Sequence, residues 1–423
     1  MKKLVTILLA MSLMFTLAIG TAGATDGATK ITIWAWDPAF NISIMNQAAD
    51  YYKAAHPEVE IEVVEMAKAD VEQKLHTTLA SRATEGLPDI VLIEDYNAQK
   101  YLESYPGSFA DLTESFNFSD FAAYKNEVLT IDEKQYAVPF DSGVAGFFYR
   151  SDILAEAGFT ADDLKGITWD RFIEIGQTVQ EKTGKYMLGF EKTDGGFMRI
   201  MMQSAGEWYF DAEGNSKLTT SPVIAEAMET YKKIVDSGIV KPTAGWDEWV
   251  NAINTGEAAS ITSGVWIVGS IKQGEDQSGS WAVAPVPRLS NEASKNASNL
   301  GGSSWFILEN TPNRDAAIAF MQEVYGANVD FYQDILMNNG AIGSYLPAFT
   351  GDAYATPDEF FGGTAIYTDL SAWATEIPEV SYGSYTYEAD AAIMAQMDAY
   401  CAGSVTLEDA LTAADAQLVN QIQ

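Results

Sequence analysis

Between Asp89 and Glu94 the chain reads Ile90-Val91-Leu92-Ile93, set off by Gly86-Leu87-Pro88. An uninterrupted apolar run this short fits a strand buried on both faces, and such strands belong to parallel sheets covered by helices on either side. The preceding residues supply its partners. Lys30 to Trp36 is β-rich and alternating. Met45, Ala48, Ala49 and Tyr52 recur at helical spacing until His56-Pro57, and Val59, Ile61 and Val63 then alternate with Glu58, Glu60 and Glu62. A further helix is expected from about Asp70 to Ala83. The opening lobe therefore reads as α/β, built from β-α-β units.

At 423 residues the chain exceeds what one core usually serves, so two or three domains are expected. Gln135 to Tyr149 resembles one long strand but carries Pro139 and Gly143 in its middle. A central strand would not tolerate them, whereas a crossing between two domains would, near residues 139–143. Beyond it, Thr168 caps a helix with Phe172, Ile175 and Val179 on one face, ended by Gly184. Trp246 to about Asn254 forms another helix, and a third begins within 264–271. The Pro-, Ser- and Asn-rich stretch 284–298 leads into a strand at Ser303 to Leu308, which suits a second crossing. Thr311-Pro312 reads as a helix start with proline in its first position. Near the end Ile393, Met397 and Tyr400 share a helical face, and Thr406 with Asp409 forms a capping box ahead of Leu407, Leu411, Ala414 and Leu418. The expected division is a first lobe of residues 25–139 and 298–332 and a second of 140–297 and 333–423.

Residues 1–24 have the form of a secretory signal. Lys2 and Lys3 precede an apolar run over 4–19, and Ala22-Gly23-Ala24 offers a small-residue site for cleavage after Ala24. The run is short for a membrane-spanning helix. An exported protein, periplasmic or extracellular, is expected. No cysteine lies near the cleavage site, so no lipid anchor on an N-terminal cysteine is expected. The single cysteine, Cys401, allows neither an intramolecular disulfide nor a cysteine-built metal site. Two histidines, His56 and His76, leave metal hydrolases and histidine triads without their usual parts. P-loop, dinucleotide, Gly-x-Ser-x-Gly and His-Glu-x-x-His motifs are absent from the sequence, and neither metal nor cofactor is expected. With 25 basic against 59 acidic residues the formal net charge is -34, which opposes nucleic acid and anionic lipid as partners.

Carboxylates stand where strands end: Asp37, Glu94, Asp95, and Asp141 at the bend. Ligands of α/β sheets bind outside the carboxyl ends of strands, so these acids are candidates for one cleft. Two chemistries compete for them. A pair of carboxylates flanking a glycosidic bond equips a glycosidase, whereas acids that accept hydrogen bonds from sugar hydroxyls make a binding site. The tryptophans favour saccharide in either case. Trp36, Trp208, Trp266 and Trp305 stand beside Gly, Asp or other polar residues rather than inside apolar periodicity, and an indole face buries the C–H face of a sugar ring. Trp249, which shares a helical face with Trp246 and Ile253, reads as core.

Several segments in order resemble the extracellular solute-binding protein family 1, the carbohydrate-binding components of ATP-driven ABC importers. They include Ile31-Thr32-Ile33-Trp34, Leu87-Pro88-Asp89-Ile90-Val91, Tyr136-Ala137-Val138-Pro139-Phe140-Asp141 and Phe148-Tyr149-Arg150-Ser151-Asp152-Ile153-Leu154. Further on come Thr168-Trp169-Asp170-Arg171-Phe172, Asn254-Thr255-Gly256-Glu257-Ala258-Ala259 with Gly264-Val265-Trp266, Val283-Ala284-Pro285-Val286-Pro287, Leu300-Gly301-Gly302 and Pro312-Asn313-Arg314-Asp315-Ala316-Ala317. The resemblance implies a two-lobed periplasmic-binding-protein fold of type II-like organisation, closing on a sugar between lobes joined by hinge crossings. It points to Asp141 as an acceptor of sugar hydroxyls and to Trp266 as a stacking platform. By position it adds Trp36, Asp37 and Asp95 from the first lobe, Glu191 and Trp208 from the second, and Tyr345 and Tyr385 closing over the ligand. Trp246 and Trp305 complete the expected set. A monomer that hands a neutral saccharide, an oligosaccharide in the first instance, to a membrane permease is expected, with a glycan-binding adhesin and a secreted glycosidase as the alternatives.

Overall fold

The computed structural model describes residues 29–422 apart from 193 and 212, so the expected signal segment lies outside the described residues. The chain opens with β1 (Thr29–Ala35), α1 (Ser43–Ala55), β2 (Val59–Glu65), α2 (Lys68–Ala80), β3 (Ile90–Glu94) and α3 (Asp95–Ser104). After α4 (Ala123–Val128) and the small hairpin of β4 (Thr130–Ile131) and β5 (Lys134–Gln135) comes the short β6 (Val138–Pro139). The second lobe then runs through β7 (Ala145–Arg150), α5 (Ser151–Ala157), α6 (Trp169–Thr183), β8 (Leu188–Glu191), α7 (Gly196–Ser204) and α8 (Pro222–Asp236). It continues with β9 (Val240–Thr243), α9 (Trp246–Asn254), β10 (Ser260–Gly264), α10 (Val268–Ile271) and β11 (Trp281–Pro285). β12 (Ser303–Ile307) returns to the first sheet and is followed by α11 (Arg314–Val324) and α12 (Val329–Asn339), and α13 (Ile366–Ala374), α14 (Thr386–Cys401) and α15 (Leu407–Ile422) close the chain.

The first sheet has the order β2-β1-β3-β12-β6, with β1 parallel to β2 and β3, and β12 antiparallel to β3 and β6. β3 sits in the middle, and Ile90, Val91 and Leu92 are fully buried between helices on both faces, which is why this strand carries no alternation. β2 lies at an edge. Its Glu60, Glu62 and Glu65 are exposed, and charged side chains on an edge strand discourage pairing with other chains. The second lobe carries the antiparallel sheet β10-β7-β11 and the parallel pair β8–β9.

The segment 135–149 is not one strand. Proline, which lacks an N–H for a ladder, ends β6 at the far edge of the first sheet, and β7 starts only at Ala145 in the other lobe. Between them, residues 140–144 run beside two further passages. Ser142 N–H donates to Ile342 O at 2.7 Å, and Leu300 N–H donates to Gly143 O at 2.8 Å. Isolated bridges join Asp141 to Gly343 and Val144 to Asn299.

Smaller differences from the sequence reading have local causes. α11 begins at Arg314 rather than at Pro312, because the side chains of Thr311 and Asn313 both bind the buried Asp89 carboxylate and hold 311–313 in a turn. Helix α2 covers 68–80 instead of 70–83. α12 runs through the expected lobe boundary at 332–333. We place the whole helix with the first lobe, since Gln47 Nε2 in α1 donates to Asn339 Oδ1 at 2.8 Å.

Candidate ligand-binding cleft

The carboxyl ends of β1 and β3 face the second lobe across a cleft of about 870 Å³, and the passages at 140–144 and 299–303 form its floor. Trp36, Asp37, Phe40, Asn41, Glu94 and Tyr96 line it from the first lobe. Asp141 and 300–303 line the floor, and Glu191, Asp194, Arg199, Trp246, Trp249 and Trp266 come from the second lobe.

Three tryptophans make one panel. The Trp246 and Trp266 rings lie 5.8 Å apart at 34°, and Trp249 stands 5.9 Å from Trp246 and 6.5 Å from Trp266. Two of them are anchored through their ring nitrogens: Trp266 Nε1 donates to Leu300 O at 2.8 Å and Trp249 Nε1 to Gly189 O at 3.0 Å. The ring of Trp266 crosses directly over Gly264, where any Cβ would occupy the same space, so the glycine two residues earlier sets the ring against the floor.

On the opposite wall, Asp37 takes up a left-handed conformation, φ 64°, at the end of β1. Its carboxylate accepts the Phe40 N–H at 3.2 Å and its carbonyl the Ile42 N–H at 3.1 Å, which starts the π-turn Pro38–Ile42 and presents Phe40 and Asn41 to the cleft. Glu94 is held by Lys68 and by the Tyr387 hydroxyl. Arg199 is the single cation among the described lining residues, and its charge is already matched by Asp194 at 2.8 Å and Asp390 at 3.2 Å, with Tyr96 beneath its guanidinium at 4.7 Å.

Asp141 is 7% exposed and accepts the Ser303 N–H at 2.7 Å. Burial pushes its carboxyl up to about 6, against the opposing pull of Lys125 and with a contribution from the Asp95 carboxylate. The consequence for stability follows from linkage. Between about pH 4 and pH 6 the unfolded chain ionises this group while the folded one still holds its proton, so the unfolded state gains and stability falls as pH rises, by on the order of 2–3 kcal/mol. Asp141→Asn removes that loss. Urea unfolding at pH 4 and pH 7 should show the variant gaining by this amount relative to the parent, and parallel behaviour of the two proteins would refute the assignment.

A family model of bacterial extracellular solute-binding proteins matches residues 47–360. The chain belongs to this family. A "lactose-binding protein" of Rhizobium radiobacter is 48% identical over 396 residues, covering 94% of each chain. Among solved structures, an extracellular solute-binding protein family 1 member superimposes with a TM-score of 0.79 at 18% identity, covering 93% of this chain and 99% of that one. An ABC transporter associated binding protein from B. animalis subsp. lactis, solved in complex with beta-1,6-galactobiose, does so with a TM-score of 0.73 at 23% identity, covering 93% and 97%. The two-lobed fold expected from the sequence is therefore that of this solute-binding protein. Among the described residues no helix is long and apolar enough to cross a membrane.

Six of the residues expected at the site of this solute-binding protein line the cleft: Trp36, Asp37, Asp141, Glu191, Trp246 and Trp266. Five do not. Asp95 is 1% exposed and turned inward onto Lys125, and its neighbour Glu94 faces the cleft instead. Trp305 is fully buried because its face of the sheet is covered: its ring lies 5.5 Å from Phe140 and 6.2 Å from Tyr325. Trp208 packs 4.5 Å from Tyr382 and donates Nε1 to Thr386 at 2.9 Å. Tyr345 stacks on Tyr332 at 5.3 Å, and Tyr385 lies between Phe210 and Lys100. Trp249, read as core, lines the cleft. It is half-buried and packs against the core beside Val250 and Ile253, as its helical face led one to expect, while one side of its ring meets the cleft; Trp246, a turn earlier, is exposed. Tyr96 and Phe40 were not foreseen as lining residues, and only the position of Tyr96 just past a strand end hinted at it.

Proposed function

We propose that this solute-binding protein captures a neutral saccharide between its lobes and delivers it unchanged, as an exported monomer, to the permease of an ABC importer. The observation that carries the reading is the cleft's composition. A tryptophan panel on one lobe offers area for the C–H faces of sugar rings, and Asp37, Glu94, Asp141, Glu191 and Asp194 surround it with acceptors for hydroxyl groups. An anionic ligand would meet five carboxylates and one cation whose charge is already balanced. Hydroxyl donors would also relieve Asp141, whose ionised form burial leaves poorly solvated. The names of the lactose-binding relative and of the neighbour solved with a galactobiose point the same way.

A ligand that touches both lobes binds the closed arrangement better and shifts the population toward it by that difference. Calorimetric titration with lactose and other neutral saccharides, beside polyamines and sugar acids, tests the proposal. Binding confined to a saccharide group supports it, and a response to polyamines alone overturns it. Recovery of intact ligand after incubation with stoichiometric protein separates capture from hydrolysis. Trp266→Ala should weaken binding by about 1–3 kcal/mol, the range for losing one aromatic stacking partner. Unchanged affinity in that variant would remove Trp266 from the site.

A further inference from the structure

Beside the cleft the two lobes touch each other directly. Helix α3 belongs to the first lobe, where Asn97 Nδ2 donates to Glu72 Oε1 of α2 at 3.0 Å and the Tyr101 hydroxyl to Glu72 O at 3.1 Å. The segment 381–388 leads into α14, which packs on α8 of the second lobe. It is fastened there by Trp208 Nε1, which donates to Thr386, and by Arg199, which pairs with Asp390.

Helix and segment meet at the edge of the cleft, where Glu94 accepts the Tyr387 hydroxyl and Tyr96 packs 4.7 Å from Tyr382. From there the contact follows α3 away from the cleft. Gln99 Oε1 accepts the Gly383 N–H and, at 3.1 Å, the Ser381 hydroxyl. Lys100 Nζ lies 2.6 Å from Glu388 Oε1, and Glu103 accepts the Ser384 hydroxyl. At 1.5 Å per residue, Tyr96 to Glu103 is about 10 Å of helix. Its inner part is dry, since Tyr96, Gln99 and Tyr382 are all buried. Glu94 and Tyr387 line the cleft from opposite lobes, so a movement that widens the cleft parts them and the contacts beyond them. Gln99, Lys100, Glu103, Ser384 and Glu388 are not among the lining residues, so their contacts form with the cleft filled or not.

We propose that α3 and 381–388 form a clasp that holds the lobes together before a ligand arrives, so that entry and release both wait for it to part. Its effect on rates rests on the saccharide reading, whereas the closed state without ligand does not. A ligand leaves only from parted lobes, so the release rate carries the full factor by which the clasp favours closure. Affinity compares two closed states, to both of which the clasp contributes, and it changes less.

Gln99→Ala leaves the Gly383 N–H and the Ser381 hydroxyl without this acceptor. Stopped-flow tryptophan fluorescence with lactose should show release roughly fivefold faster than in the parent, the weight of one buried hydrogen bond, with association faster as well and affinity changed by less than the release rate. Lys100→Glu sets two like charges together and should also speed release, and adding Glu388→Lys should return it toward the parent's value. Unfolding curves check that the lobes themselves are intact. Parent rates or slower release in Gln99→Ala overturn the clasp, as does a charge swap that leaves release as fast as in Lys100→Glu alone. Without ligand, X-ray scattering should give the double variant Gln99→Ala/Lys100→Glu a larger radius of gyration than the parent, and equal radii overturn the closed ligand-free state. If lactose and other neutral saccharides do not bind the parent, the saccharide reading falls, and the scattering alone decides the clasp.

Discussion

Lys125→Met should cost about 3–5 kcal/mol of folding stability, the range for removing one partner of a buried ion pair. The Lys125 and Asp95 side chains are each 1% exposed, and they meet directly beneath the hinge. Lys125 also donates to Ser303 O at 2.9 Å, Ser304 Oγ donates to Asp95 Oδ1 at 2.8 Å, and Asp95 N–H donates to Gly302 O at 3.0 Å. One lysine thus binds α3, α4 and the passage that enters β12. Removing it strands a carboxylate and a carbonyl where water does not reach. Burial already pushes the Asp95 carboxyl upward against the pull of Lys125, so without the lysine the acid takes up a proton more readily, and the loss should shrink at low pH. Adding Asp95→Asn to Lys125→Met should recover a large part of the stability. Urea unfolding of the single and double variants reads both effects, and a loss below about 1 kcal/mol in the single variant would show that the pair does not hold the hinge.

Gly143→Ala is expected to disturb stability and binding together. A Cβ at this position would overlap the Leu300 carbonyl oxygen and lie 2.7 Å from its carbon and 3.0 Å from Asn299 Oδ1. Two of these obstacles are backbone atoms, which cannot swing aside as a side chain does. Passages 140–144 and 299–303 must therefore separate, at a cost near the upper end of the roughly 1–3 kcal/mol typical of overpacked sites. The separation also moves the Leu300 carbonyl, which holds the Trp266 ring, and the Gly302-Ser303 segment beside Asp141. Ligand affinity should fall at least as far as in Trp266→Ala. A Gly143→Ala protein that unfolds and binds like the parent would mean that the passages are free to move apart.

Much of the fold was legible in one dimension. The run at 90–93 lacks alternation because its strand is covered on both faces, and the Glu-interleaved pattern at 58–63 belongs to an edge strand with one wet face. Pro139 and Gly143 marked the crossing because neither residue type suits the interior of a sheet. Thr168 and Gly184 marked the ends of α6 for equally local reasons: the threonine side chain accepts the Arg171 N–H at 3.3 Å, and the glycine adopts φ 70°. The site was legible where a tryptophan stood beside residues that could not belong to a packed face, as at Trp36 and Trp266.

The same rule failed where neighbours in sequence part company in space. Glu94 ends β3 and Asp95 starts α3, and a single residue separates an acid in the cleft from one committed to Lys125. Gly301-Gly302 gave Trp305 a polar-looking context, yet packing against Phe140 and Tyr325 buries it completely. By itself the sequence determined the strands and helices of the opening lobe, the break in the chain near 139–143 and which catalytic and nucleotide-binding motifs are missing from it, but it held no signal for the passage at 342–343. Tertiary structure alone decided which acids and rings share the cleft. Backbone propensity and periodicity act over a few residues, whereas the floor of the cleft is set by contacts such as Asp141 with Ser303, 162 positions apart, that exist only once both lobes have formed.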